Sequence, residues 1–117
     1  MLEECNLSEL EEYDPKHFVR KLVTRGAQSK SMLMNLLPGQ EIPTHGHDGY
    51  EVLLLPQKGQ AVLIVDDTTD VALRPGTVYS AGQHNTFRIH NNSTEPFQLL
   101  VILVRLVSAH SQAKISH

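Results

Sequence analysis

Two histidines and a glutamate near the middle of the chain have a spacing that could bind a metal ion. His45, His47 and Glu51 form an HxHxxxE pattern within the segment GQEIPTHGHDGYE, residues 39–51. On an extended strand successive side chains alternate between faces, so positions 45, 47 and 51 would all point the same way. Two imidazoles and a carboxylate suit Fe, Mn, Ni, Co or Zn and leave coordination positions open. The pattern therefore predicts one divalent metal ion, whose identity it does not distinguish.

Length and composition predict a single soluble domain around this site. The 117 residues are 40% hydrophobic and 20% charged, with a net charge of −3 and one cysteine, Cys5. The weak negative charge gives no reason to expect nucleic acid as a partner, and one cysteine excludes an intramolecular disulfide. The first ten residues are acidic, and the longest apolar run, residues 99–104, is too short to cross a bilayer. We therefore expect a cytoplasmic protein that does not contact membranes.

Short apolar segments separated by turn residues predict an all-β fold. About eight strands are expected, with turn signals at intervals of about 8–12 residues, and helix is expected only within residues 1–15. Asp66 to Asp70 separates two apolar segments and predicts a hairpin turn. This pattern is typical of an antiparallel sandwich or small barrel. We divide the chain into an acidic N-terminal segment (1–16), the β-domain (17–107) and a flexible C-terminal tail (108–117).

The segment that contains the predicted metal ligands also resembles a known family. Gly39, His45, His47, Glu51 and Gly59 are similar to the first motif of the cupin superfamily, in which a glycine, HxH, a glutamate and a second glycine follow one another. Seven residues separate Glu51 from Gly59 where six are usual, and a one-residue bulge or a longer turn at residues 56–58 would absorb the difference. The resemblance covers roughly residues 17–107. It implies a single small antiparallel jelly roll or barrel of the RmlC-like type.

The second cupin motif normally supplies a fourth ligand, a histidine, and here it fits in two registers. Anchoring the motif on Gly76 and on residues 91–96 places Phe87 where that histidine should be. Anchoring it on residues 81–85 makes His84 the ligand but requires a shortened loop. We favour His84, which would complete a site of His45, His47, Glu51 and His84.

The barrel wall around the metal should form an apolar pocket for a small-molecule ligand. The candidates for this wall are Met34, Leu36, Leu53, Ile64, Tyr79, Phe87 and Ile89.

Two functions are compatible with such a site. One is a metal-dependent oxygenase or isomerase acting on a small organic metabolite, and the other is a non-catalytic small-molecule binding or sensor protein with the metal structural or absent. No catalytic residue is assigned. The cupin resemblance also implies a homodimer in which residues 17–24 pair across the subunits.

Overall fold

The protein is built almost entirely of β-strands. The computed structural model describes residues 2–82 and 85–106. The strands are β1 Val19–Arg25, β2 Ser29–Leu36, β3 Glu41–His45, β4 Tyr50–Lys58, β5 Ala61–Val65, β6 Thr69–Leu73, β7 Tyr79–Ala81, β8 Phe87–His90 and β9 Phe97–Arg105. One turn of 3₁₀-helix, Leu7–Leu10, precedes them and is capped by the side chain of Asn6. Within the described residues, no helix is long and apolar enough to span a membrane.

The strands form two antiparallel sheets. One has five strands in the order β1-β2-β9-β4-β7, and the other has four in the order β3-β8-β5-β6. Strands that are distant in sequence lie side by side in both sheets, as in a jelly roll. The all-β jelly-roll prediction is confirmed, although the two sheets stay separate and do not close into one hydrogen-bonded barrel.

The core fills the space between the sheets. Apolar residues at alternate positions of the strands point inwards because the side-chain period of a strand is two. The most deeply buried apolar side chains in the described core are Leu33, Leu36, Leu73, Phe97 and Leu99. The last four belong to the cluster between the sheets, and other members of this cluster line a cavity beside His45 and His47.

The predicted hairpin at residues 66–70 is confirmed. Strands β5 and β6 pair in register, with Val65 opposite Thr69. Asp66 and Asp67 both have positive φ, 52° and 56°, and the Thr68 amide donates to the Val65 carbonyl at 3.0 Å. These features define a type I′ turn, whose backbone twist matches that of the flanking strands.

The predicted bulge near residues 56–58 is also confirmed. The pairing of β4 with β9 shifts between Pro56 and Lys58, so one extra residue is accommodated there. The chain then turns at Gly59, where φ is +77° and a Cβ atom would lie only 2.2 Å from the carbonyl oxygen of Pro96. Only glycine meets both requirements without strain.

The N-terminal segment packs against the outer face of the five-stranded sheet. The buried Asn35 side chain donates to the Leu10 carbonyl at 3.2 Å, and Gln40 donates to the Asp14 carbonyl at 2.6 Å. Lys58 forms an ion pair with Glu11 at 2.7 Å. The segment 1–16 is thus tied to the sheet by hydrogen bonds, whereas the predicted tail at 108–117 lies outside the described residues.

Candidate functional site

A cavity of about 620 Å³ opens between the sheets beside the paired histidines. Its walls are mainly apolar and come from the inner faces of both sheets. Apolar residues of the wall include Met32 and Met34 of β2, Val52 and Leu54 of β4, and Phe87 and Ile89 of β8. A space of this size and character suits a small organic molecule.

A β-bulge in β3 directs His45 towards this cavity. Ile42 lies opposite Ile89 and His45 lies opposite Phe87, so three steps along β3 match two along β8. The extra residue reverses the alternation, and His45 therefore shares a face with the buried Ile42. His45 Nδ1 donates to the Pro43 carbonyl oxygen at 2.9 Å. Because a carbonyl can only accept, this bond leaves the lone pair on Nε2.

His47 is held more tightly than His45. Its ring stacks on Phe87, with centroids 4.7 Å apart and planes inclined by 7°. Nε2 of His47 is buried without a hydrogen-bond partner among the described residues. Burial lowers the pKa of His47 and the neighbouring His45 lowers it further, whereas a hydrogen bond to the Gly82 backbone acts in the opposite direction. The neutral imidazole, with Nδ1 bound to a carbonyl and Nε2 free, is the form that binds metals.

The two imidazoles lie next to each other. Their ring centroids are 6.0 Å apart and their planes are inclined by 66°. Each ring uses Nδ1 on a backbone carbonyl, which fixes its tautomer as the outer partners of metal-binding histidines usually do. The two rings therefore present neighbouring Nε2 atoms, to which the described residues add no third His, Cys, Asp or Glu ligand.

Glu51 does not join the histidine pair, and the parity argument that placed it there is wrong. Strand β3 ends at His45 and β4 begins at Tyr50, so the backbone leaves the extended conformation between them. Tyr50 lines the cavity and Val52 is buried in the core, while Glu51 is exposed on the opposite face of β4. In the described ranges 2–82 and 85–106, no three His, Cys, Asp or Glu residues form a group able to hold a metal ion.

His84 lies outside the described residues, so its role as a ligand stays a prediction. Residues on both sides of it are held in place. Gly82 bonds to His47, and the Asp66 carboxylate accepts from the Thr86 amide and the Asn85 side chain, both at 2.8 Å. These hydrogen bonds lower the pKa of Asp66, with the Thr86 amide as the largest cause. Asp66, predicted from the sequence only as part of a hairpin turn, thus holds Asn85 and Thr86 in place.

Phe87, which the first register of the second motif would put in the place of the fourth ligand, faces the cavity. Its side chain is buried in the cavity wall between His47 and the core. The partner of His45 across the sheet is therefore an aromatic ring rather than an imidazole.

The structure divides the predicted pocket residues into three groups. Met34, Phe87 and Ile89 line the cavity. Leu36 and Tyr79 pack in or against the core without lining the cavity, and the Tyr79 hydroxyl donates to the Ala72 carbonyl at 2.8 Å. Leu53 and Ile64 must be corrected, because they alternate with the buried Val52, Leu54 and Leu63 and so face outwards.

Two cations that were not predicted to lie at the cavity, Arg20 and Lys30, also border it. Arg20 follows Phe18 by two positions and Lys30 precedes Met32 by two, so each shares a face with an apolar cavity residue. This shared parity is the signal that could have identified them. Neither forms an ion pair with another described residue.

Comparison with known proteins establishes the family. The family description of the cupin domain matches residues 32–103. This range contains β3, β4 and both histidines of the cavity. The chain therefore belongs to the cupin family. No curated protein matches it in sequence.

Solved structures share its fold. A protein of Thermus thermophilus has a TM-score of 0.82 and 27% identity, with 89% of this chain and 98% of that one covered. An RmlC-like cupin of Desulfovibrio desulfuricans has a TM-score of 0.79 and 22% identity, with 89% and 97% covered. A predicted oxalate decarboxylase of Thermotoga maritima has a TM-score of 0.69 and 18% identity, with 74% and 79% covered. The similarity to the last two structures supports a shared fold and nothing more specific.

Proposed function

We propose that this cupin binds one divalent metal ion through His45, His47 and His84 and holds a small organic molecule in the adjoining cavity. The observation that carries the proposal is the buried, unpartnered Nε2 of His47. A buried nitrogen without a partner costs free energy, and a metal ion would use its lone pair. His45 would supply a second imidazole from the end of β3.

The residues of the chain have distinct tasks in this site. The stack with Phe87 and the bond to Gly82 fix the orientation of His47. The apolar walls would shield the part of the cavity beside the half-buried His47 from water. When bound, a metal ion supplies Lewis-acid chemistry that polarises an oxygen atom of the substrate or activates dioxygen.

The enzymatic form of this proposal is an oxygenase or isomerase acting on a small organic metabolite. It is supported by two features of the cavity, its apolar lining and the open coordination positions that three protein ligands would leave. The Thermotoga maritima neighbour is described as a predicted oxalate decarboxylase, which is in keeping with metabolite chemistry on this fold.

A second candidate is a binding or sensor protein that does not depend on a metal. The outward orientation of Glu51 favours it, since this leaves the described cavity with two imidazoles and no glutamate ligand. Such a protein would bind its ligand with the same affinity before and after treatment with a chelator.

Elemental analysis of untagged protein tests the metal proposal. We expect about one metal ion per chain in the wild type after reconstitution, and losses in His47→Ala and in His84→Ala. Loss in His47→Ala alone would remove His84 from the ligand set. A wild type that takes up no metal would contradict the proposal and leave the metal-independent binding protein.

A further inference from the structure

A second, cationic cleft of about 310 Å³ adjoins the cavity. Lys30, Tyr50 and Leu103 line both spaces, so the two lie side by side along the inner face of the five-stranded sheet. The cleft lies where this face extends beyond the cavity, at the turn between β1 and β2. Its wall is mixed, with cationic side chains beside polar and small residues.

Three cations from three strands border the cleft. Arg25 comes from β1, Lys30 from β2 and Arg105 from β9. Arg25 and Lys30 are direct cross-strand partners, and Arg105 lies opposite Tyr50. Like charges directly opposite each other in an antiparallel pair are destabilising. The repulsion between Arg25 and Lys30 therefore lowers the stability of the folded chain.

No acidic side chain in the described part of the chain forms an ion pair with these cations. Among the described residues that line the cleft, none is Asp or Glu, and the three cations form no ion pair with any described residue. The residues outside the described ranges, 1, 83–84 and 107–117, contain no Asp or Glu either. Asp48 borders the main cavity but not the cleft.

We propose that this cationic cleft binds the acidic head group of a small amphiphilic anion, a carboxylate or a phosphate, whose apolar body extends into the cavity. Arg105 and Arg25 offer planar guanidinium groups that can donate two hydrogen bonds to either head group, and Lys30 adds a point charge at the junction. The apolar walls of the cavity then receive the hydrocarbon part of the ligand. This inference rests on the proposed small-molecule function of the cavity and names its ligand class.

Calorimetric titration of chelator-treated protein tests the inference independently of metal binding. The probes are hexanoate, hexyl phosphate and the neutral hexanol. We expect at least one anion to bind about tenfold or more tightly than hexanol, since hydrogen bonds to charged groups are roughly twice as strong as neutral ones. The tighter of the two anions identifies the head group.

Variants locate the binding. Arg105→Gln should weaken the binding of the anion about tenfold or more while leaving hexanol unchanged, because Arg105 borders only the cleft. Lys30→Met should weaken the binding of the anion about tenfold or more relative to that of hexanol. Lys30→Arg should retain binding. Arg74→Gln is the matched control, because it removes one exposed cation that borders neither space. Circular dichroism and thermal unfolding would confirm that each variant is folded.

Three results would overturn the inference. The first is that the protein binds the anions and hexanol with equal affinity, and the second is that it binds neither anion. The third is that Arg105→Gln and Arg74→Gln weaken the binding of the anion to the same extent. Metal content measured on the same preparations would stand apart from these results, so failure of the anion cleft is distinguishable from failure of the proposed metal site.

Discussion

The ring of Phe87 lies flat against the ring of His47, with 4.7 Å between the centroids. This contact covers one face of the imidazole with an apolar surface and restricts its polar interactions to the ring edge. On that edge one nitrogen bonds to Gly82, and the other is buried without a partner among the described residues. The Phe87 ring thus supports the His47 imidazole. In the register of the second cupin motif that is anchored on Gly76, position 87 is the position of a metal ligand.

Replacing Phe87 by histidine should strengthen metal binding. In the register anchored on Gly76, position 87 is that of the family's additional ligand, so Phe87→His would supply another imidazole on the cavity face. We expect metal affinity to rise at least about tenfold, because even partners outside the ligand sphere change affinity by that much. Phe87→Leu is the control, since it loses the stack and adds no ligand. Equal metal affinity in Phe87→His and Phe87→Leu would show that position 87 does not face the metal.

Replacing Gly59 by alanine should destabilise the fold by more than about 2 kcal/mol. The new Cβ would combine a positive φ with a contact of 2.2 Å to the backbone of Pro96. Gly76→Ala separates the two effects, because Gly76 has a φ of +83° but no atom within 4 Å of a Cβ. Gly76→Ala should lower the free energy of unfolding by only about 1 kcal/mol. Urea unfolding followed by circular dichroism measures both, and equal losses would contradict the close approach at Gly59.

The anchor formed by Asp66 should depend on pH. Its pKa is lowered below the ordinary value of 3.8, mainly by the Thr86 amide, so the folded state favours the carboxylate. The contribution of this carboxylate to folding stability is therefore fully present above pH 3.8 and is lost as the pH falls through the lowered pKa. The Thr86 amide resonance in NMR spectra should shift over this acidic range. In Asp66→Asn the shift should be absent, and a titration that persists in this variant would assign it to another group.

Strand β1 should mediate a homodimer. It lies at the edge of the five-stranded sheet, and Leu22 on it is 50% exposed. Edge strands with apolar residues tend to pair with another chain. We expect a dimer in analytical ultracentrifugation at micromolar concentration, and a shift towards monomer in Leu22→Lys. Val78→Lys, which changes an exposed valine outside any strand, should leave the dimer intact. A monomeric wild type would refute this assembly.

Much of the fold could be predicted from local sequence because turns and alternation are local properties. The Asp66-Asp67 turn has residues that tolerate positive φ between two apolar segments. The bulge at residues 56–58 is predictable because this chain has one residue more between Glu51 and Gly59 than the cupin motif usually has. The bulge that turns His45 inwards does have a local signal in Pro43, because a proline inside a strand is found at an edge or a bulge, but this signal does not by itself show which residue is the extra one.

The errors at the site have a common physical cause. Counting parity from His45 to Glu51 assumes an unbroken strand, but the backbone between them forms a turn in which the Tyr50 amide donates to the His47 carbonyl at 3.0 Å. Leu53 and Ile64 lie in continuous apolar runs, where alternation does not reveal which residues face inwards. Placing such residues requires the strand pairing across both sheets, which depends on contacts distant in sequence.

Titration of metal-free protein with Co²⁺, followed by visible absorbance, tests the central claim most directly. The comparison is between the wild type, His47→Ala and Glu51→Gln, with circular dichroism to check that all three are folded. The account predicts that Glu51→Gln binds Co²⁺ like the wild type, whereas His47→Ala binds at least about 100-fold more weakly. Equal loss of binding in Glu51→Gln and His47→Ala, or no binding by the wild type, would contradict a site built on the histidine pair without Glu51.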